Sequence, residues 1–367
     1  MKNFDFLTIA PSRVIADINL FQRNLLEKYK FVFGNNPVLI VRDDVLSKFN
    51  DKITKVFNNK DSIIQCNEEC SQKEISRIVE IIKTKNISSI VGMGGGKAID
   101  IAKAVANFVN LAIITIPTSS ATGACSSALS TIYTEDGNID KDRDIIFTAS
   151  PNFVFIDYDL ILDEPRKFVI FGITDSLAKY YESFAFTNGK SNDIFTQTAL
   201  NLAENIKKTI FQIHEKAISD FDNKILSDEL KHIFKINLVL APLIGGLGGE
   251  GCRVCISHAV NNSLTQIKKI RQKKFMHGEQ VAFGNLLQLY LDKRVNAKQE
   301  LKELLNLYKK LGLMKDFDYF RVKLDQNDID VFMNHIYSDS ESLKNMPRAI
   351  SKQELLECMK HFKMLMF

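Results

Sequence analysis

The sequence predicts an α/β domain built on a parallel sheet, followed by an all-α domain, with the change of character near residue 165. Three observations carry this. Before that point, apolar runs of about five residues alternate with helical patterns of about 10–15 residues, the mark of βαβ units. After Asp163-Glu164-Pro165 the strand-like runs almost vanish and long stretches at helical period take over. The 367 residues also exceed the roughly 250–300 that one hydrophobic core usually serves.

The elements follow in order. Pro37-Val38-Leu39-Ile40-Val41 is an apolar strand ended by the charged Arg42-Asp43-Asp44. Ser62 to Cys66 is a second strand, and Lys73 to Lys83 a helix with Ile75, Ile78, Val79, Ile81 and Ile82 at helical spacings. Ser88-Ser89-Ile90-Val91-Gly92 is a third strand that runs into a glycine cluster. A helix from about Ala98 to Asn110 and a strand from Ala112 to Ile116 complete the repeating pattern. Extended segments are expected at Ile145 to Phe147 and Phe153 to Ile156. Beyond Pro165, helices are expected at 175–185, 195–217, 227–243, 257–266, 280–291 and 298–311. The division is therefore 1–164 for the α/β domain and 165–367 for the helical one.

Composition narrows the classes. With 45% apolar and 25% charged residues and a net charge of +4, the chain is neither disordered nor a nucleic-acid binder by charge alone. No apolar stretch of about 18 uninterrupted residues is present, so no membrane span is expected. The segment from Met1 to Val14 lacks the apolar core of an export signal. Six cysteines are too few for a disulfide scaffold at this length, which suits a cytoplasmic protein.

Chemistry enters at Gly92-Met93-Gly94-Gly95-Gly96-Lys97-Ala98-Ile99-Asp100, a strand-to-helix turn. Glycines let a diphosphate approach the peptide N–H groups, and the following helix dipole favours an anion there. Neither the G-x-G-x-x-G nor the G-x-x-x-x-G-K-[ST] fingerprint fits, since position 97 is Lys and Ala98 follows it. The run from Val91 to Lys103 resembles instead the iron-containing alcohol dehydrogenase superfamily, in its glycerol dehydrogenase branch. Pro117 to Thr122 is similar to that family's second cofactor segment, and Ser127 to Thr134 to its S-A-L-S-x-I-Y-T stretch beside the nicotinamide.

The resemblance implies a Rossmann-like, dehydroquinate synthase-like α/β domain that binds NAD, a helical domain that binds a metal, and a substrate cleft between them. It implies that Gly94, Gly95, Gly96, Lys97, Ala98, Thr118, Ser119, Ser127, Leu129 and Tyr133 line the cofactor. Asp43 takes the position of the acidic residue near the adenosine ribose, where a carboxylate favours NAD over NADP. Position is the sole warrant for that role, the alternative being a solvated acid at a strand end.

Of six histidines, His258 and His277 lie in motifs similar to the family's metal motifs, and Gly172 to Glu182 is similar to its G-I-G-D-A-L-A-K-W-Y-E. The ligands implied are Asp175, His258 and His277, which also form the catalytic centre. Three protein ligands leave a position open for a substrate oxygen, as a catalytic divalent ion requires. Spacings of 83 and 19 residues do not establish such a site, and a satisfied core histidine is the commoner case. Iron-binding members carry a fourth ligand histidine where this chain has Lys179, which points to zinc over iron.

Two departures bear on the substrate. Where the glycerol dehydrogenases carry an aspartate that contacts the polyol, this chain has Gly123. Where they carry a second histidine after the ligand, it has Asn261, an amide that cannot shuttle a proton at neutral pH. The stretch from Ile244 to Val254 is similar to hydroxycarboxylate dehydrogenases, so Arg253 could pair a substrate carboxylate or form a surface salt bridge. Five cations from Lys268 to Lys274 form either a solvated face or a funnel for anions. Cys252 and Cys255 read as two small buried side chains which, on one helix, would share a face.

The expectation is an NAD-dependent, metal-assisted dehydrogenase acting on a small alcohol, polyol or hydroxy acid. It needs no nucleic-acid or membrane partner, and the resemblance implies a homo-oligomer. The rival readings are a 2-oxo acid reductase and an impaired family member that binds NAD as a sensor.

Overall fold

The computed structural model describes residues 10–20, 24–67, 69–313, 324–338 and 342–362, with the backbone alone for 141–143. One sheet has six strands: β1 (Arg13–Asp17), β2 (Pro37–Arg42), β3 (Ile63–Cys66), β4 (Ser89–Gly94), β5 (Ala112–Pro117) and β8 (Phe153–Asp157). Their order is β1-β8-β5-β4-β2-β3 and every pairing is parallel. The expected parallel α/β architecture is therefore present.

Parallel strands covered on both faces read as unbroken apolar runs, and β2 shows this with Pro37 through Val41 all buried. Val38, Ile40 and Ile90 pack on one side with Ile75, Ile78 and Ile101 from the Gln72–Lys83 and Gly96–Val109 helices. Leu39, Val41, Val91, Ile114 and Phe155 pack on the other with Phe33, Phe49 and Ile53. The chain leaves β2 outward to β3 and returns past it to β4, so the topological switch point lies between β2 and β4. In open parallel sheets, ligands bind beyond the carboxyl ends of the strands at such a point.

Two strands of this half, β1 and one of a separate pair, were not anticipated, and a third was expected only at its last residues, Ile145 and Ile146. Among the described residues the edge strand β1 pairs only with β8, in register from Arg13–Phe153 to Asp17–Asp157. A separate antiparallel pair joins β6 (Leu129–Tyr133) to β7 (Ile139–Ile146), whose charged middle hides it from a hydrophobicity reading.

Residues divide into two compact units: Thr8–Val169 with Asn237–Leu243, and Ile170–Ile236 with the chain from Ile244 onward. In the second unit the helices Arg166–Thr187, Ile194–Asp222, Ile256–Thr265, His277–Leu291 and Ala297–Leu311 overlap the expected ones, most of them extended by a few residues. Helices Gln326–Ile336 and Lys352–His361 add to the all-α content. The helix expected over 227–243 instead begins at Asp228, loosens into a π turn at Ile236–Leu240 and resumes as Ala241–Arg253.

The run Asp228–Arg253, with mean hydropathy 1.4 over its most apolar window, is long and apolar enough to cross a membrane by composition. Leu230, Ile233, Phe234, Leu238 and Ile244 along it are buried inside the protein. The two cysteines do not share a helix face, because Cys252 lies at the end of this run, one residue before its last, and Cys255 precedes the next helix with φ −147°.

Candidate metal centre and cofactor segments

Three helices of the second unit bring Asp175, His258 and His277 together. One ligand atom from each lies within 4.8 Å of the others. Asp175 Oδ1 is 3.3 Å from His258 Nε2 and 3.6 Å from His277 Nε2. The close packing has a local cause in glycine. A Cβ on Gly278 would come within 2.5 Å of the Phe171 Cβ, and one on Gly284 within 2.3 Å of the Ser257 carbonyl oxygen. Thr174 ties the helices further, its hydroxyl donating to the Gly278 carbonyl at 2.8 Å.

Burial alone would raise the pKa of Asp175. The contacts to His258 and His277 and the nearby charge of Lys179 outweigh it and hold the carboxyl well below the usual range. His258 shows the same contest: burial disfavours its cation, while the Glu182 and Asp175 carboxylates together outweigh burial and the Lys179 charge and raise its pKa. Asp175 Oδ1 is buried without a hydrogen-bond donor. A buried acceptor left so, facing two imidazole nitrogens, is the environment a divalent cation satisfies. The donor set fits a metal.

Of two neighbours of the triad, Glu182 has no role assigned by the sequence, and Lys179 only that of standing where a fourth ligand histidine would. Glu182 is fully buried, and its Oε2 lies 2.6 Å from His258 Nδ1. Its other oxygen accepts from the backbone N–H of Cys255 at 2.7 Å and of His258 at 3.0 Å. Lys179 donates to the Arg253 carbonyl at 2.8 Å and lies 3.1 Å from His258 Nε2. Asp175, Lys179 and Glu182 are spaced i, i+4 and i+7, one face of one helix, and that spacing was the available signal.

The expected cofactor residues gather at the carboxyl end of β4. Gly94 has φ +148°, a backbone that side chains rarely adopt, and nothing lies within 4 Å of a Cβ placed on Gly95. The Gly96–Val109 helix begins there without a side-chain cap, leaving N–H groups for an anion. Thr118 N–H donates to the Gly94 carbonyl at 3.0 Å, joining the two segments. Ala98 is buried beneath Gly94, whose Cβ would come within 2.9 Å of the Ala98 Cβ. Asp43 is exposed and opens the Asp43–Lys48 helix just past β2, beside the switch point, and its carboxylate faces the Gln65 amide at 3.4 Å.

Lys97 is not free to serve phosphate alone. Its Nζ reaches both Glu69 carboxylate oxygens at 2.6 Å and sits 4.9 Å from the Tyr133 ring centroid. Ser119 turns locally, its Oγ accepting from Ala121 N–H at 3.2 Å. The loop from Thr118 to Leu129 is held by two buried charges. Glu164 accepts from the backbone N–H of Ser120 at 2.8 Å and from its hydroxyl. Lys103 donates to the carbonyls of Ala124 at 2.7 Å, Ser127 at 3.3 Å and Leu129, and pairs with Asp100 at 2.8 Å. An aspartate and a lysine three residues apart in a largely apolar helix, Asp100 and Lys103, were the visible hint for Lys103; Glu164 offered none.

The expected substrate residues sit as follows. Gly123 lies against the Pro242 ring, with the place of a Cβ 1.9 Å from Pro242 Cγ. The Arg253 side chain packs across Gly245, whose Cβ would come within 3.0 Å of the Arg253 Cβ. Two of the five cations before His277 are structural. Lys269 reaches Asp325 and Asp328 at 2.6 Å, and Arg271 donates to the carbonyls of Thr265 and Gln266 at 2.7 and 2.9 Å.

Comparison with known proteins agrees with this architecture. The sequence profile of the family described as iron-containing alcohol dehydrogenase matches residues 18–158. A glycerol dehydrogenase of Pseudomonas putida is 33% identical over 357 residues, covering 94% of each chain. An oxidoreductase of Synechocystis is 34% identical over 265 residues, 70% of this chain and 66% of that one. The crystal structure of a Schizosaccharomyces pombe glycerol dehydrogenase superposes with a TM-score of 0.83 at 24% identity, covering 98% of this chain and 90% of that one. The chain belongs to the iron-containing alcohol dehydrogenase family of oxidoreductases.

Proposed function

We propose that the chain is an NAD-dependent, metal-assisted dehydrogenase that interconverts a small alcohol or polyol and its carbonyl. The observation that carries this reading is the convergence of Asp175, His258 and His277 on one point, with a buried Asp175 oxygen lacking a donor. Asp175, His258 and His277 would hold a divalent ion, zinc by this reading, which when bound supplies Lewis-acid stabilisation of the alcohol oxygen. NAD would accept the hydride.

The chain's own residues do the rest. The N–H groups after Gly94-Gly95-Gly96 bind the diphosphate at the head of their helix. Asp43 takes the ribose hydroxyls and disfavours a 2′-phosphate. Thr118, Ser119, Ser127, Leu129 and Tyr133 line the nicotinamide half on a loop that Glu164 and Lys103 hold in place. Glu182 keeps a proton on His258 Nδ1, leaving Nε2 as the coordinating nitrogen. With Asn261 in place of a titrating group, the alcohol proton leaves through water or cofactor hydroxyls.

Six buried, unpaired cysteines support a reducing, cytoplasmic setting. Family membership supports a homo-oligomer. The test is NADH absorbance across glycerol, 1,2-diols, simple alcohols and 2-oxo acids, with zinc added or chelated. Glycerol or diol turnover that needs zinc and disappears in His277→Ala is expected. Full turnover in metal-free buffer overturns the mechanism, and activity on 2-oxo acids alone overturns the substrate class. Tight NAD binding with no turnover makes the chain a sensor.

A further inference from the structure

We propose that Lys179 is a catalytic residue, its ammonium group donating a hydrogen bond to the alcohol oxygen as that oxygen loses its proton. The inference rests on the dehydrogenase reading above. The geometry behind it belongs to one helix face. Asp175, Lys179 and Glu182 all meet the His258 imidazole, at 3.3 Å and 3.1 Å from Nε2 and 2.6 Å from Nδ1 respectively. With its Nδ1 proton given to Glu182, His258 turns the Nε2 lone pair toward Asp175 and Lys179.

The Lys179 ammonium is therefore a placeholder on the coordinating nitrogen. A cation that takes the Nε2 lone pair displaces Lys179 from that acceptor, while the hydrogen bond to the Arg253 carbonyl, 2.8 Å, still tethers the ammonium beside the site. An N–H donor then points into the space beside the ion. The charges favour one particular guest. The carboxylates of Asp175, partly buried, and Glu182, fully buried, balance a divalent cation, and the Lys179 charge is matched when a negative oxygen arrives. Such a site binds an alkoxide better than an alcohol, which is the condition for accelerating hydride departure. In the step itself the alcohol proton goes to solvent, the hydride to the nicotinamide and the C=O bond forms, while Lys179 keeps its protons.

A residue that only braced the fold would, on removal, weaken metal binding and turnover together. Lys179 predicts opposite signs. In a chelator-competition titration of the metal-free chain, Lys179→Met should bind zinc about 10-fold more tightly, because a like charge has left the ion's side. At saturating zinc its kcat should fall roughly 100-fold, the usual cost of losing one oxyanion donor, with NADH affinity unchanged. Lys179→Arg should keep wild-type zinc affinity and recover part of kcat. Lys179→Gln repeats both measurements with a neutral donor to the Arg253 carbonyl, should the methionine variant not fold. Zinc binding that is no tighter, or wild-type kcat at saturating zinc, overturns the proposal. Wild-type turnover with an unaffected variant sinks Lys179 alone, whereas a wild-type chain that oxidises no alcohol sinks the dehydrogenase reading and the catalytic role with it.

Discussion

Glu182 Oε2 accepts the Nδ1 proton of His258 at 2.6 Å, and its Oε1 accepts the first backbone N–H groups around that histidine. One buried carboxylate therefore sets the tautomer of the proposed ligand and caps the helix that carries it. Removing its charge while keeping its shape separates the two tasks. Glu182→Gln should lower zinc affinity by about 10–100-fold, the usual effect of losing a ligand's hydrogen-bonding partner. Chelator competition reads this, and unchanged affinity would show that His258 needs no such support.

The Pro242 ring explains a missing carboxylate. With Pro242 Cγ 1.9 Å from the place of a Gly123 Cβ, no larger residue fits there unless the proline moves. Gly123→Ala should lose about 1–3 kcal/mol of stability through overpacking, visible as a lower Tm. Pro242→Ala should restore it in the double variant. Gly123→Asp combined with Pro242→Ala places a carboxylate where the family resemblance implies one for polyol binding, and on the proposed reading its KM for glycerol should fall below that of Pro242→Ala.

How much of this was legible in the sequence depends on whether the cause was local. Strands β2 and β4 were readable because burial on both faces makes unbroken apolar runs such as Pro37–Val41. The edge strand β1 was not, because its half-exposed Arg13-Val14-Ile15-Ala16-Asp17 becomes a strand only beside β8, about 140 residues away. Asp175, His258 and His277 were found through motif resemblance, since only the fold closes gaps of 83 and 19 residues. Glu164 and Pro242 left no trace at all: their significance lies in touching Ser120 and Gly123, far from them in sequence.

Lys103 is the strongest anchor of the loop proposed to line the nicotinamide. Its ammonium holds three carbonyls between Ala124 and Leu129 while its charge is balanced by Asp100, both groups buried. Lys103→Met leaves Asp100 buried without its partner and should cost about 3–5 kcal/mol. The double variant with Asp100→Asn should recover much of that stability. NADH affinity should stay reduced in both variants, because the carbonyls remain unheld. Fluorescence titration of NADH alongside thermal melts distinguishes the two effects; NADH binding restored in the double variant would assign Lys103 to stability alone.

Glu300 joins three helical segments of the second unit and should make the protein acid-sensitive. It accepts from the Tyr180 hydroxyl at 2.6 Å, from Lys207 at 2.9 Å and from Arg294 at 3.0 Å. Burial alone would raise its pKa, but these partners outweigh burial and hold it below the ordinary value of 4.5. A carboxyl with a depressed folded-state pKa contributes stability above its unfolded pKa and loses that contribution as pH falls through the folded value. Glu300→Gln should therefore cost about 3–5 kcal/mol at neutral pH, since Lys207 and Arg294 lose their shared buried anion. As pH drops below 4.5 the wild-type advantage should shrink, because the unfolded chain takes up the Glu300 proton before the folded protein does, and the loss is complete once pH passes the depressed folded value. Urea denaturation of both proteins between neutral and acid pH measures this, and a pH-independent gap would mean that the carboxylate charge contributes nothing beyond its hydrogen bonds.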